Sequence, residues 1–163
     1  MPRSILPLLK KALFCFHIKI YQLTAGHVLG RVVGAPVLLL STTGRKTGKL
    51  RTWPLLYLVE GDTHIVVASN SGSSEHPSWY LNLRSNPAVT IQLGSRRLSV
   101  EARTASPKEK ALLWPKMTGL FSGYDTYQRR TRREIPVVIL EETQSVRGFA
   151  ELTTNRRFCR DCP

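Results

Sequence analysis

Residues 36–48 read PVLLLSTTGRKTG, an apolar run of strand length followed by threonines, glycines and two basic residues. A second apolar run, Leu50–Val59, follows almost directly. Because turn-forming residues stand at both ends of the intervening segment 42–49, the pattern predicts a β-hairpin with a long basic loop. A hairpin joins antiparallel strands, so this stretch indicates antiparallel β structure.

More short strands follow this hairpin. A Glu-Gly-Asp turn leads into a strand at His64–Ser69, whose β-branched residues suit a buried position. Two alternating segments, Ala88–Leu93 and Arg97–Thr104, are joined by a Gly-Ser pair and predict a second hairpin. A final apolar strand is expected at Ile135–Leu140. The chain therefore offers about six strands, each short.

The helices predicted between these strands are brief. Pro77 fits the first turn of a helix that stops before Asn86-Pro87. The segment Ser106–Glu109 is a capping box with proline at the first helical position, and it opens a second helix. Residues Gly123–Arg133 have a helical pattern. Hairpins with brief helices predict an α+β, mainly β fold, a small antiparallel barrel, rather than a doubly wound sheet.

Length and charge limit the classes of protein. The chain has 163 residues, which suits one domain, and its three cysteines cannot form a closed set of disulfides. It carries 24 Lys and Arg against 11 Asp and Glu, a net charge of +13. The first acidic residue is Glu60, so the basic excess is concentrated in the N-terminal third. We therefore expect an anionic partner there.

The N-terminal segment Ile5–Leu23 is apolar but is interrupted by Lys10, Lys11 and Lys19. These charges argue against a membrane-spanning helix and against a signal peptide, so we expect a cytoplasmic protein. What remains is a basic, apolar helix that lies on an anionic membrane surface or packs on its own domain. The expected organisation is this helix in residues 1–30, a barrel domain in residues 31–142 and a flexible tail in residues 143–163.

The loop 44–51 carries the clearest chemistry. Gly44 and Gly48 let the backbone approach an anion closely, and Arg45 and Lys46 supply charge-assisted hydrogen bonds. It is not a Walker loop, because Leu50 stands where a magnesium-binding Ser or Thr is required. A generic basic turn and a nucleic-acid contact both remain open from the spacing alone.

Other constellations give less. The four histidines show no metal-ligand spacing, and Cys159 and Cys162 form a lone C-x-x-C, so no metal site is predicted. Tyr124 and Tyr127 are three residues apart and share one helix face, where they either pack in the core or line a flat ligand.

Taken together, several segments resemble the deazaflavin-dependent nitroreductase family, the F420-dependent reductases of mycobacteria and related actinobacteria. The matching segments occur in the family's order over residues 31–142. They are residues 36–48, Arg51-Thr52-Trp53-Pro54-Leu55, residues 66–72, residues 76–83, Ala102-Arg103, Leu113-Trp114-Pro115, residues 124–128 and residues 133–138. The resemblance implies a split β-barrel of the pyridoxamine-phosphate-oxidase type and coenzyme F420, a deazaflavin with a phosphate and a polyglutamate tail.

The resemblance also implies residue roles. Arg45, Lys46, Thr47 and Arg51 are expected to hold the phosphate and tail of F420. Thr52, Trp53, Pro54, Leu55 and Leu56 are expected to line the path towards the ring. Val67, Ala68, Ser69 and Asn70 are expected to meet the deazaflavin, and Ser78, Trp79, Tyr80, Leu81 and Asn82 match the family's other cofactor segment. Tyr124 takes the place of an active-site tyrosine that also borders the cofactor, with Ser69 as a second catalytic candidate, and Phe121 and Tyr127 are expected to contact the acceptor.

The implied activity is hydride transfer from reduced F420 to a quinone or a similar acceptor, with nitroreduction as a side activity. Leu56, Asn70 and Phe121 depart from residues of some relatives near the acceptor, which affects nitro-compound activation more than cofactor binding. Two alternatives remain open: an FMN-using split-barrel oxidoreductase and a non-catalytic F420 carrier. A membrane quinone would give the N-terminal helix a role.

Overall fold

The hairpin that the sequence predicts is the framework of the fold. The computed structural model describes residue 13 and residues 16–143. A short strand β1 (Arg31–Val32) precedes β2 (Ala35–Thr43) and β3 (Leu50–Glu60). Strands β2 and β3 pair antiparallel and are joined by the basic loop 44–49, so the predicted hairpin is confirmed.

The other elements follow in the expected order. The strands are β4 (Thr63–Val67), β5 (Ala88–Leu93), β6 (Arg96–Thr104) and β7 (Val137–Glu142). The helices are α1, of which residues 16–23 are described, α2 (Ser78–Ser85), α3 (Pro107–Leu120) and α4 (Gly123–Arg130). A single 3₁₀ turn covers Asn70–Gly72 between β4 and α2.

The strands close into a barrel. Neighbouring strands run in the order β1-β2-β3-β4-β7-β6-β5, and β5 returns to pair with β2 through residues 39–41. Every pairing is antiparallel. Strand β1 is attached outside the six-stranded ring. The small antiparallel barrel that the sequence predicts, and the split-barrel type that the resemblance implies, are confirmed.

Alternate residues of the strands fill the barrel interior. Leu38 and Leu40 of β2, Val66 of β4 and Leu140 of β7 are fully buried in one cluster. Helix α2 adds Trp79, Tyr80 and Leu83 to this cluster, so it packs against the barrel core. Burial of apolar side chains at roughly 25 cal/mol per Å² is the main stabilising contribution to this closure.

Helices α3 and α4 cover the outer face of β4 and β7. Their side chains Leu113, Met117 and Tyr124 are buried with Ile65 and Ile139 on the outward faces of those strands. Helix α3 begins at the predicted capping box, in which Ser106 and Glu109 satisfy each other's backbone N–H groups. The capping box therefore fixes where α3 starts beside the barrel.

The described part of α1 packs on the outer face of the β2–β3 hairpin. Tyr21 is 2% exposed and lies with Val37 and Leu39. Its hydroxyl donates to the carbonyl of Val37 at 2.9 Å and accepts from the backbone nitrogen of Gly94 at 2.9 Å. Across the described residues, no helix is both long and apolar enough to cross a bilayer. The segments 1–12 and 144–163, which include most of the expected tail, lie outside the described residues.

Several element boundaries differ from the sequence prediction, including β4, which ends at Val67 instead of Ser69, and β7, which runs from Val137 to Glu142 instead of Ile135 to Leu140. Helix α4 ends at Arg130 instead of Arg133, because Thr131 is extended and the Gln128 side chain bonds the chain that follows. Helix α3 continues through Pro115 to Leu120. Residues 131–136 therefore form an extended connection into β7, and this brings Arg133 off the helix and towards the site.

Candidate functional site

The loop between β2 and β3 is held by its own backbone. The nitrogen of Gly44 donates to the carbonyl of Lys49 at 2.9 Å, and the nitrogen of Gly48 donates to the carbonyl of Gly44 at 2.7 Å. Gly48 has φ +65°, a conformation that glycine adopts without cost. A Cβ at Gly44 would approach the hydroxyl of Thr47 to 3.0 Å. Both glycines are thus needed for the tight loop.

Asn82 attaches this loop to α2. Its side-chain oxygen accepts from the backbone nitrogen of Arg45 at 3.2 Å and from the guanidinium of Arg45 at 3.4 Å. Its side-chain nitrogen donates to the hydroxyl of Thr42 at 3.1 Å. Asn82 and Thr42 are buried, whereas Arg45 is exposed. The structure therefore brings the predicted phosphate loop and the predicted segment 78–82 into direct contact.

The cations of the loop point to solvent. Arg45, Lys46, Lys49 and Arg51 are all exposed. The ion pairs found within the described residues are formed by Arg103, Lys110 and Lys116, and none includes a residue of this loop. Exposed cations that form no ion pair with a described carboxylate have the chemistry of a polyanion site.

The predicted residues of β3 divide between its two faces. Trp53 and Leu55 pack against the barrel interior, on the side of α2. Leu56 packs against the Tyr21 cluster on the outer face, and the hydroxyl of Thr52 lies 2.9 Å from that of Ser41. Pro54 follows the outward alternation. The residues 52–56, expected to line one path towards the ring, therefore lie on two different faces of β3.

The turn after β4 holds unusual backbone. Ala68 is buried, Ser69 is partly buried, and Asn70, Ser71 and Gly72 all have positive φ, at 46°, 54° and 79°. Non-glycine residues rarely adopt this region, and two in succession indicate that the surroundings impose the turn. The side chain of Asn70 donates to the carbonyl of Glu75 at 2.9 Å, which closes the loop on its far side.

The contacts that stabilise this turn come from Arg133. Its guanidinium donates to the carbonyls of Ser69 at 2.8 Å, Ser73 at 2.9 Å and Ala68 at 3.3 Å. It also lies 3.2 Å from Nδ1 of His76. The helical pattern over Gly123–Arg133 included this arginine at its end, whereas the structure places it beyond α4. The signal that could have found it was its position in the matching segment 133–138.

Three aromatic side chains cluster at the start of α4, the helix that packs on this turn. Tyr124 is 5% exposed, and its ring lies 5.2 Å from that of Phe121 and 6.5 Å from that of Tyr127. Burial, with a smaller contribution from Tyr127, raises the pKa of the Tyr124 hydroxyl well above its ordinary value. The backbone of Tyr127 lies directly against Gly72. Tyr124 and Tyr127 lie on α4, which contacts the turn 68–72, and Phe121 lies at the end of α3 just before it.

The residues of the predicted segment 78–82 differ in how deeply they are buried. Trp79 and Tyr80 are buried in the barrel core, and the Tyr80 hydroxyl lies 3.0 Å from that of Thr104. Ser78 is exposed and Leu81 is partly buried. Trp79 and Tyr80 thus hold α2 in the barrel, while Asn82 reaches the basic loop. Val67 packs with Tyr124 on the outer side of β4.

The comparisons with known proteins agree on one family. The family model described as F420H(2)-dependent quinone reductase matches residues 13–142. An F420H(2)-dependent quinone reductase of Mycobacterium tuberculosis (strain ATCC 25618 / H37Rv) is 43% identical over 128 residues, which cover 76% of this chain and 86% of that protein. The family-model match includes both the basic loop and the turn 68–72.

Solved structures give the same result. An F420-H2 dependent reductase, FDR-A, is similar with a TM-score of 0.60 and 39% identity, covering 65% of this chain and 94% of its own. A structure described as a domain-swapped dimer is similar with a TM-score of 0.62 and 34% identity, covering 85% of this chain and 100% of its own.

Proposed function

The chain belongs to the F420H(2)-dependent quinone reductase family, and we propose that the basic loop 44–51 and the turn 68–72 hold the two ends of its cofactor. Its reaction is the reduction of a quinone with reduced F420 as hydride donor, and coenzyme F420 is its cofactor. The observation that carries the proposed site is the loop of exposed cations fixed to α2 through Asn82.

The residues present fit the anionic part of F420. A phosphate and a polyglutamate tail require several cations and N–H donors that are not already paired with carboxylates. Arg45, Lys46 and Arg51 are exposed and take part in none of the ion pairs within the described residues. Most backbone N–H groups of the loop already bond within the protein, so its exposed side-chain cations are the groups that can hold an anion.

The other end of the site suits a flat ring and an acceptor. The turn 68–70 offers backbone groups in a fixed conformation, and the aromatic rings of α4 lie beside it. When bound, reduced F420 supplies the hydride. Holding the anionic end at loop 44–51 orients the ring without contact to the reacting atoms.

Tyr124 is the residue we assign to the acceptor oxygen. Because burial raises the pKa of its hydroxyl, Tyr124 keeps its proton across the physiological pH range and can donate a hydrogen bond. Ser69, partly buried in the turn, is the second candidate for this role. Phe121 and Tyr127 form the apolar wall against which the acceptor packs.

Cofactor titration tests the proposed function. Purified protein should quench or shift F420 fluorescence with micromolar or better affinity and should bind FMN much more weakly. It should also oxidise F420H2 with a menaquinone analogue. Preferential FMN binding would contradict F420 dependence. Binding of F420 without oxidation by any quinone would instead indicate a carrier.

A membrane-surface role of α1 is the finer part of the proposal. Leu13, Phe16 and Leu23 are 68%, 60% and 86% exposed and share one helix face, and Lys19 is exposed beside them. Exposed apolar residues next to a cation suit an anionic bilayer, from which a lipid quinone would reach the site. Co-sedimentation with phosphatidylglycerol vesicles, but not with phosphatidylcholine vesicles, is the expected result. Absence of the protein from both vesicle pellets would contradict a membrane-surface role of α1.

A further inference from the structure

The guanidinium of Arg133 uses all three of its nitrogens on one segment of the chain. Nε donates to the carbonyl of Ser73 at 2.9 Å, and Nη2 donates to the carbonyls of Ser69 and Ala68 at 2.8 and 3.3 Å. Nη1 lies 3.2 Å from Nδ1 of His76. The contacts therefore span both sides of the turn with positive φ angles.

Within the described residues, the other hydrogen bonds that tie this turn to its surroundings are those from the Asn70 side chain to the carbonyl of Glu75 and from the nitrogen of Ala68 to the carbonyl of Pro136, both 2.9 Å. Its internal backbone bonds are those from Gly72 to Ser69 and from Ser73 to Asn70, both 3.0 Å. Left-handed backbone at Asn70 and Ser71 costs roughly 1–3 kcal/mol for each residue, so it persists only where the surroundings stabilise it. Hydrogen bonds from a charged donor are the strongest available for that purpose.

Two hydrogen bonds of the Gln128 side chain connect the segment around Arg133 to α4, the helix that carries Tyr124 and Tyr127. The side chain of Gln128, in α4, donates to the carbonyl of Arg133 and accepts from the nitrogen of Ile135, both at 2.9 Å. The same helix contacts the turn through the backbone of Tyr127 at Gly72. Arg133 thus joins the two parts of the site, the turn and α4, that the proposed function assigns to the cofactor ring and the acceptor.

We propose that Arg133 is a positioning residue for hydride transfer: by clamping the carbonyls of Ala68, Ser69 and Ser73, it fixes the turn on which the cofactor ring lies relative to Tyr124. This inference rests on the proposed function for the identity of the ring. Among the described residues, the hydrogen bonds of the Arg133 guanidinium reach neither the basic loop nor the aromatic rings of α4, so its effect is on orientation and not on the anionic end of F420.

Only arginine meets this geometry. Its planar fork presents five N–H donors in separate directions, whereas a lysine ammonium presents three donors from one point. The acceptors at Ala68, Ser73 and His76 are each bonded by a different nitrogen of Arg133, so they require donors that point in separate directions. Arg133→Lys keeps the positive charge and most of the volume, so it separates the effect of the clamp from that of the charge.

His76 gives the clamp a second readout. To accept from Arg133, Nδ1 of His76 must be unprotonated, and burial, followed by the charges of Arg133 and Arg84, lowers the pKa of His76 below 6.5. Tyr80 packs on the ring at 5.0 Å, and Lys110 and Glu134 line the adjacent cavity. Removing the Arg133 charge should therefore raise the pKa of His76, and protonation at acid pH should weaken the clamp.

The test compares Arg133→Lys and Arg133→Gln with Arg132→Lys and Arg132→Gln in the full chain. Arg132 is the exposed neighbour. Without cofactor, the amides of residues 70–73 should exchange with deuterium about tenfold faster in both Arg133 variants, because the turn opens locally. The His76 resonance should titrate at higher pH in Arg133→Gln. The Arg132 variants should match the unmodified protein in both measurements.

Activity supplies the last readout. With F420H2 and a menaquinone analogue, kcat should fall about tenfold or more in both Arg133 variants, while the Kd for F420 rises much less. Unchanged amide exchange and unchanged kcat in Arg133→Lys would overturn the inference. Faster exchange with unchanged kcat would also overturn it and leave the proposed function intact. If the unmodified protein binds no F420, the proposed function fails, whereas the exchange result still decides whether Arg133 holds the turn. Arg133→Lys serves alone if Arg133→Gln does not fold.

Discussion

Asn82 of α2 supports Arg45 of the basic loop from within the barrel: its side-chain oxygen lies 3.2 Å from the Arg45 backbone nitrogen, while its nitrogen bonds Thr42 of β2 at 3.1 Å. Asn82 is 4% exposed and Thr42 is 1% exposed. One buried amide therefore connects the core to an exposed cation. The position of the loop is determined by the packing of α2, and its affinity for anions depends on that packing.

Replacement of Asn82 by alanine should loosen this connection. The hydroxyl of Thr42 would lose its partner in a buried place, so the free energy of unfolding should fall by about 1–3 kcal/mol. F420 should also bind more weakly, because the loop is no longer preorganised. Urea denaturation and F420 titration measure the two effects. Asn86→Ala, an exposed asparagine at the end of the same helix, is the control and should change neither.

The charges of the loop should determine cofactor affinity. Removing both cations in Arg45→Ala with Lys46→Ala should raise the Kd for F420 by about a hundredfold or more, since hydrogen bonds to charged groups contribute roughly 1.5–3 kcal/mol each. The rate with saturating cofactor should change less. Arg97→Ala with Arg132→Ala removes the same net charge from other exposed positions. Equal weakening by both pairs would show that only overall charge matters.

Tyr124→Phe should affect turnover more than cofactor binding. If the hydroxyl donates to the acceptor oxygen, its loss should lower kcat by about a hundredfold at an almost unchanged Kd for F420. Tyr127→Phe, on the same helix face, should mainly raise KM for the quinone. Steady-state kinetics with fluorescence titration distinguish these outcomes. Equal losses of kcat and affinity in Tyr124→Phe would indicate that the ring only packs against the cofactor.

Most of the fold could be predicted because its signals are local. Apolar runs of strand length bounded by turn residues gave the strands, and the Gly61 and Gly94 turns have the positive φ that such turns require. The capping box at Ser106 fixed the start of α3. The end of α4 could not be predicted in the same way, since Gln128 ends it by bonding residues 133 and 135 beyond the helix.

The site was harder to predict because its decisive contacts are distant in sequence. Arg133 bonds carbonyls 60 to 65 residues earlier, and Asn82 bonds a hydroxyl 40 residues earlier. Backbone carbonyls carry no residue-type signal, so no motif marks Ser69 or Ser73 as partners of an arginine. The resemblance supplied a set of residues, but the division of residues 52–56 between two faces of β3 required the barrel.

His64 should make stability depend on pH. It is buried in β4 beside Tyr57, and its Nδ1 has no hydrogen-bond partner among the described residues. Burial lowers the pKa of His64, with an opposing effect of Glu142 and a smaller lowering by Arg96. The unfolded chain therefore binds the proton more readily, so the free energy of unfolding should fall as the pH drops below 6.5.

Urea denaturation over a series of pH values checks this effect. His64→Leu should unfold with a shallower dependence on pH in the acid range and with undiminished stability at neutral pH, since an apolar group replaces a buried polar one. His27→Leu, at an exposed histidine, is the control and should keep the slope of the unmodified protein. If the free energy of unfolding depends on pH with the same slope in all three proteins, His64 is not the source of the effect.

Alanine substitutions at Gly72 and Gly61 distinguish the cost of backbone strain from the cost of disturbing the contact with α4. Both have positive φ, at 79° and 58°, so an alanine at either position should cost about 1–2 kcal/mol. A Cβ at Gly61 meets nothing within 4 Å, whereas a Cβ at Gly72 would lie 2.9 Å from the carbonyl oxygen of Tyr127. Gly72→Ala must therefore also push the turn 68–72 away from α4. We expect it to lose more stability than Gly61→Ala in urea denaturation, and to lower kcat with F420H2 while Gly61→Ala keeps it. Equal effects of the two substitutions on kcat would show that the contact between the turn and Tyr127 does not position the reacting groups.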